Sequence, residues 1–455
     1  MQINRSRRPL SSNEQIFTPP KIGTFILKNG LKILFSEKSE LPIIRINFLV
    51  NNGSKFDPDD KKGLSNLLAM CIDEGAGELN ALQLSEEFEM LGANFSVSCN
   101  NDVAVISLQV LKEYFIPALK IFRDVIIRPH LNEKDFEREK HKVLVRLNQS
   151  KAEPDFIADM SFEYFLFGND SPYAFPTIGL DYTIQNIQNR SIKETCSQKF
   201  LPSESTLVIV GEFDRDKLIT IIDKEFGQWN GKSSSISLTA ETRKADKKII
   251  VINKPDYVQT EIRVGQLSTP RNQKDFFQKQ IINLILGGQF SSRLNLNLRE
   301  KNGFTYGVHS NFNYYKEAGY FAVSTSVDLE NTLNALKEIY SEIISIKSGI
   351  TDEELRFAKS SLTKKFPSNF ETYRQIAANI SNKVLYDLPD DYFETYVEKI
   401  TALTLDDINY IANNSFRLDE MISVLVGDAK IIVSRINENT FGELKVLEYD
   451  EVFQS

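Results

Sequence analysis

The sequence predicts an α+β protein built as two similar domains from an internal duplication, each an antiparallel-rich sheet packed with helices. Three observations predict it. Leu131-Asn-Glu-Lys-Asp-Phe136, opening a long helical stretch, is echoed by Ile350-Thr-Asp-Glu-Glu-Leu355, and Thr206-Leu-Val-Ile-Val-Gly211 is echoed by Ile422-Ser-Val-Leu-Val-Gly427. Both pairs are offset by a little under about 220 residues, which is a duplicated domain, since solenoid repeats run ~20–50 residues. Within each half, period-two apolar runs mix with runs of helical period, and 455 residues exceed what one simple core fills.

Taken in order, residues 1–20 are polar and read as a flexible arm. Residues 21–229 form the first domain. Gly23 to Leu34 reads as a hairpin turning at Lys28-Asn29-Gly30, followed by an apolar strand at Ile43 to Val50. Asn51 to Lys62 is a polar loop, and Gly63 opens a helix with Leu64, Leu67, Leu68, Cys71 and Ile72 on its apolar face. Leu82 to Leu91 is helical, and Asn94 to Val110 is a strand pair around Asn100-Asn101-Asp102. Helices are expected at Phe115 to Ile127, Glu133 to Ser150 and Ile157 to Phe167, with two shorter ones between Tyr182 and Phe200. Thr206 to Val210 closes the unit as a buried strand. A Lys-, Ser-, Thr- and Ala-rich linker is expected over 230–248, and 249–455 repeat the plan. There, strands at Ile249 to Ile252 and Glu261 to Gly265 precede a helix at Phe276 to Leu286. A strand pair, His309 to Tyr315 and Tyr320 to Val327, leads into a helix at Asn331 to Lys347.

The bulk properties exclude several classes. A net charge of −8 is the wrong sign for a nucleic-acid binder. No stretch reaches the ~18 apolar residues a membrane helix needs, nor is there a signal-peptide core, so a cytoplasmic protein without membrane insertion is the expectation. Cys71, Cys99 and Cys196 are few and widely spaced, which suggests free thiols. His130, His141 and His309 are the only histidines and form no helix-spaced pair. There is no Gly-x-Ser-x-Gly elbow, and Gly287-Gly288 lacks the Lys-Ser/Thr of a phosphate loop.

The most informative stretch is Leu286 to Tyr306. Gly287-Gly288 is expected to end the preceding helix in the left-handed conformation, and Gly303 to make a turn before Tyr306. Arg299 offers a planar fork of donors and Tyr306 a phenolic donor, a pair able to hold a peptide carbonyl and the oxyanion it becomes. The bland reading is a salt-bridged arginine and a core tyrosine. Gly-Gly-Gln-Phe-Ser-Ser-Arg-Leu followed by Leu-Arg-Glu-Lys-Asn-Gly-Phe-Thr-Tyr-Gly-Val resembles the C-terminal signature of the pitrilysin/insulinase-type zinc peptidases, in the half-length, processing-peptidase-like branch. The resemblance covers about Gly23 to Gly427 and implies that Arg299 and Tyr306 bind substrate backbone and stabilise the tetrahedral intermediate.

That family carries an inverted zinc motif, Gly-Leu-x-His-x-x-Glu-His. The equivalent stretch is Gly63-Leu64-Ser65-Asn66-Leu67-Leu68-Ala69-Met70, so Asn66 and Met70 replace the histidines and Ala69 the glutamate. A neutral amide, a methyl and a thioether make no comparable zinc site, and no general base remains. Alignment puts Arg146 at the third ligand, next to Leu147, with Glu139 keeping an earlier acidic position; Arg146 would then replace the missing cation's charge.

The resemblance therefore implies a zinc-free subunit of a heterodimeric metallopeptidase. It would hold no cofactor itself, with zinc in a paralogous partner subunit and unfolded peptides as substrate. The loop Gly287-Gly288-Gln289 lacks the long glycine-rich insertion of the processing-peptidase regulatory subunit, which favours a bacterial-type pair. The main rival is a catalytically inert structural subunit, like the core proteins that respiratory complexes build from this fold. A peptide-binding module without a catalytic partner and a stand-alone peptidase are the remaining alternatives.

Overall fold

The computed structural model describes residues 17–231, 246–436 and 441–454. Most of the expected arm and of the expected linker lies outside these residues. Two six-stranded sheets carry the fold. The first runs Gly23–Ile26, Lys32–Glu37, Ser205–Gly211, Ile43–Val50, Ala104–Leu111, Asn94–Cys99 from edge to edge. The second runs Glu443–Glu448, Lys248–Asn253, Ile422–Gly427, Gln259–Ser268, Gly319–Asp328, Val308–Tyr314. Five of the six positions correspond between the halves. Both echoed patterns fall on matching elements: the helices Glu133–Ser150 and Asp352–Lys365, and the strands Ser205–Gly211 and Ile422–Gly427.

The sixth position differs. In the first sheet it is the N-terminal hairpin strand, antiparallel to its neighbour; in the second it is Glu443–Glu448, from the far C-terminus and parallel to Lys248–Asn253. The hairpin turns where the sequence places it, with Gly30 at φ 94° and the Asn29 side chain donating to the carbonyls of Phe226 and Trp229.

Each sheet has a core of its own on one face, made with helices of the same half. The other face is covered by the opposite half. Helix Pro154–Phe167 lays Ile157, Ala158 and Phe162 against Ile250, Ile252, Ile422 and Val424 of the second sheet. Reciprocally, helix Tyr373–Leu385 lays Ile376, Ala377 and Ile380 against Leu34, Leu49, Val208 and Val210 of the first. A strand apolar on both faces must be buried on both, and Leu207 to Val210 is such a run. Phe17 joins this packing, with its ring 5.9 Å from Phe366 and 5.5 Å from Phe370.

Polar contacts tie the same seam. Lys55, buried in the stretch expected as a plain polar loop, donates to Asp102 at 2.9 Å and to Glu317 of the other half at 2.5 Å. The Tyr173 hydroxyl lies within hydrogen-bond distance of both carboxylates, at 2.9 and 2.5 Å, and its ring stacks on Tyr315 at 4.6 Å. Arg263, also buried, pairs with Asp155 and Asp159 of the crossing helix. No helix among the described residues is long and apolar enough to cross a membrane.

Candidate functional site

The helix expected to carry a zinc motif is present as Leu64–Cys71. Gly63 precedes it at φ 96°, a left-handed position that glycine takes without a Cβ penalty. Asp57 satisfies the helix start, accepting from the backbone N–H of Gly63 and Ser65 and from the Ser65 hydroxyl. Burial pushes the Asp57 carboxyl up to about 7, against the lowering pull of those hydrogen bonds. Leu67, Leu68 and Ala69 are buried. The Asn66 amide lies 3.9 Å from the Met70 sulfur, the contact of two neutral side chains one turn apart.

Helix Glu133–Ser150 packs beside it. Arg146 is exposed, while Leu147 is buried in the same core cluster as Leu64, Leu67 and Leu68. Neither the exposed Arg146 nor the buried Leu147 offers a metal donor at the third-ligand position. An amide, a methyl, a thioether and a leucine do not fit a zinc ion. Among the described residues no group of three or more His, Cys, Asp or Glu side chains could hold a metal. What survives is acidic: Glu139 is buried and accepts from Arg138 at 3.1 Å and Lys142 at 2.7 Å. Glu74 also pairs with Arg138, and burial together with the Glu139 carboxyl raises Glu74 above the usual range. His130 bonds the Gly77 carbonyl through Nε2 at 2.8 Å, whereas His141 and His309 are exposed.

In the second half, helix Phe276–Leu286 stops where the sequence predicts, but its glycines act differently from the expectation. Gly287 has φ −156°, so the helix does not end in the left-handed conformation. The glycine is needed for close approach: a Cβ there would lie 2.7 Å from the Ser310 nitrogen and 2.5 Å from its Oγ, on the sheet-edge strand. At Gly288 a Cβ would meet the Asn283 side chain at 2.9 Å.

The chain then forms a short wide helix, Asn295–Lys301, with Asn302 N–H donating to the Asn297 carbonyl five residues back. Such turns are rare and occur often at functional sites. Leu294 and Leu298 point into the core, and Leu296 is exposed. Side-chain amides brace the turn: Asn295 donates to the Val308 carbonyl at 2.6 Å, and Asn297 to Glu338 and Glu342 at 2.8 and 2.6 Å. Arg293 grips Glu354 with Nε and Nη2 at 2.6 and 2.8 Å and also bonds the Gly349 carbonyl.

Arg299 projects from this turn. Its guanidinium lies 4.2 Å from the Phe290 ring centroid, and its ion pair, with the adjacent Glu300, is long at 3.6 Å. Gly303, at φ 64°, makes the expected turn. Tyr306 follows two residues before the edge strand Val308–Tyr314, 94% exposed. The core-tyrosine reading is therefore excluded. The stacking of Arg299 on Phe290 and the amide braces were not foreseen, since neither has a spacing that marks it in a sequence.

Residues 32–165 match the family described as insulinase (peptidase family M16), and residues 186–362 match its peptidase M16 inactive domain. An uncharacterized zinc protease of Rickettsia felis is 26% identical over 86% of this chain and 94% of its own. A Helicobacter pylori protein named non-peptidase homolog YmxG is 24% identical over 88% and 92%. The crystal structure of a peptidase M16 inactive domain from Pseudomonas fluorescens superposes with a TM-score of 0.84 at 27% identity, covering 90% of this chain and 98% of that one. The duplicated fold and these matches together show that the chain belongs to the insulinase-type M16 peptidase family.

Proposed function

We propose that this chain is the zinc-free subunit of a heterodimeric metallopeptidase acting on unfolded peptides. In this reading the Arg299 fork holds a backbone carbonyl of the substrate, and the Tyr306 hydroxyl donates to the oxyanion that carbonyl becomes. A paralogous partner subunit supplies zinc and the general base. The observation that carries the reading is the exposure of Tyr306, seven residues after an arginine whose only ion pair among the described residues is a long one to its neighbour. A tyrosine kept for stability would bury its ring, and an arginine kept for stability would be paired as Arg293 is. The free thiols of Cys71, Cys99 and Cys196 support a cytoplasmic setting.

The test is peptide cleavage by the complex captured from source cells, comparing wild type with Tyr306→Phe. Loss of one oxyanion donor is expected to cost about 3–4 kcal/mol of transition-state stabilisation, hence about a hundred- to a thousand-fold in rate, with assembly intact. The chain purified alone is expected to carry no stoichiometric zinc by elemental analysis; one zinc per chain would overturn the reading. The second reading is a catalytically inert structural subunit, supported by the Helicobacter relative named a non-peptidase homolog. Equal cleavage by both proteins, or capture of no cleaving partner, decides for it.

A further inference from the structure

At the seam, a cavity of about 390 Å³ opens between helix Phe276–Leu286, the edge strand Val308–Tyr314, helix Tyr373–Leu385 and the segment 388–396. Its size falls within the range of small-molecule sites. Its walls are aromatic rings and side-chain amides, and among its lining residues the single charged group is Arg271; no carboxylate lines it. Arg271 forms no ion pair among the described residues. One face of its guanidinium lies 3.1 Å from the Phe276 centroid, and Nη2 donates to the Tyr392 hydroxyl at 2.5 Å. Burial raises the hydroxyls of Tyr314, Tyr386, Tyr392 and Tyr396, and the Arg271 charge opposes that rise at each, so the cation faces this ring of tyrosines. The Tyr314 hydroxyl is buried and has no hydrogen-bond partner. Gln280 is held by the Tyr396 hydroxyl on its carbonyl oxygen at 2.8 Å, which leaves its NH₂ to donate.

The geometry points to this cavity as a binding site for a small aromatic carboxylate of about the size of an acylated aromatic amino acid. The carboxylate would sit on the Arg271 fork with the Tyr314 hydroxyl donating to it, and the ring would pack among Phe276, Phe312 and Tyr386. A guanidinium without a counter-ion, in a wall without acids, selects an anion, and its planar fork suits a carboxylate. Rings at this density select an aromatic body over an aliphatic one. The site uses neither Arg299 nor Tyr306 and stands apart from the peptidase reading.

The experiment is titration calorimetry on the full chain with three probes: N-acetyl-L-phenylalanine, its neutral amide N-acetyl-L-phenylalaninamide, and acetate. The carboxylate is expected to bind at least ten-fold more tightly than the amide or acetate. Arg271→Met should weaken it ten-fold or more, and Tyr314→Phe several-fold. Equal binding of acid and amide, equal binding of acetate, or undiminished binding to Arg271→Met overturns the proposal. So does absence of binding by all three at millimolar concentration. Should Arg271→Met fail to fold, Tyr314→Phe and the acid-to-amide ratio on wild type decide.

Discussion

Ala69 lies on the buried side of helix Leu64–Cys71. The resembled zinc motif carries a glutamate at this position; here a methyl group sits beside buried Leu67 and Leu68. Ala69 is buried, whereas Asn66 and Met70 are half-buried. Ala69→Glu is therefore expected to bury a carboxylate without a partner and destabilise the chain by roughly 3 kcal/mol or more, read as a lower urea midpoint. Tyr306→Phe, 94% exposed, should leave that midpoint within about 0.5 kcal/mol, which separates its effect on cleavage from any effect on folding. Glu354 gives a third expectation at this scale. Burial would raise its carboxyl, but the Arg293 fork and the Thr351 cap hold it down at about 2. Its ordinary value is 4.5, so the stability it contributes is complete above that pH and is lost as pH falls toward 2. Arg293→Met should cost on the order of 1–3 kcal/mol at pH 7, a range that allows for solvent screening, and the gap to wild type in acid-unfolding curves should close between pH 4.5 and 2.

At the scale of elements, the strands and most helices of the first half were legible because each carries its own period. Ile43–Val50, Phe115–Ile127, Glu133–Ser150 and Phe276–Leu286 fall on the predicted residues. What was not legible is which sheet each helix covers. Pro154–Phe167 reads as an ordinary apolar helix of the first half, yet its partners are Ile250, Ile422 and Val424, more than eighty residues on. No local pattern records that choice, since apolar surface is non-directional and any sheet face of the right shape satisfies it. The same limit hid the edge strand Glu443–Glu448, which has no counterpart at the matching place in the first half. The site divides similarly: side-chain chemistry at Asn66, Ala69 and Met70 was readable, whereas the close approach of Gly287 to Ser310 depends on a strand more than twenty residues away. Reciprocal cover has a consequence. Residues 1–231 made alone should expose Leu34, Leu49, Val208 and Val210 and aggregate or bind a hydrophobic dye. Co-expression with 232–455 should restore a stable complex; a soluble, cooperatively unfolding 1–231 fragment would contradict the exchange.

For the whole molecule, the seam determines whether the two halves move as one. Under the function proposed above, Arg299 and Tyr306 must be kept in place over the width of the fold, because misplacing a catalytic group by about 1 Å can cost a hundred-fold in rate. Apolar cover alone would let the sheets slide, whereas charged groups with fixed partners resist it. Lys55 is such a group: it is 4% exposed, its partners Asp102 and Glu317 come from different halves, and the Lys316 backbone N–H adds a further bond to Asp102 at 3.0 Å. Lys55→Met keeps the stem's packing and removes the cation, leaving Asp102 buried beside a second carboxylate. Breaking a buried pair on one side costs about 3–5 kcal/mol, so a large drop in the urea midpoint is expected. The Lys55→Met/Asp102→Asn double variant should recover part of it, because the uncompensated charge is then gone. If the single variant unfolds like wild type, the network is only surface decoration of the seam, and the halves are joined by the exchanged helices alone.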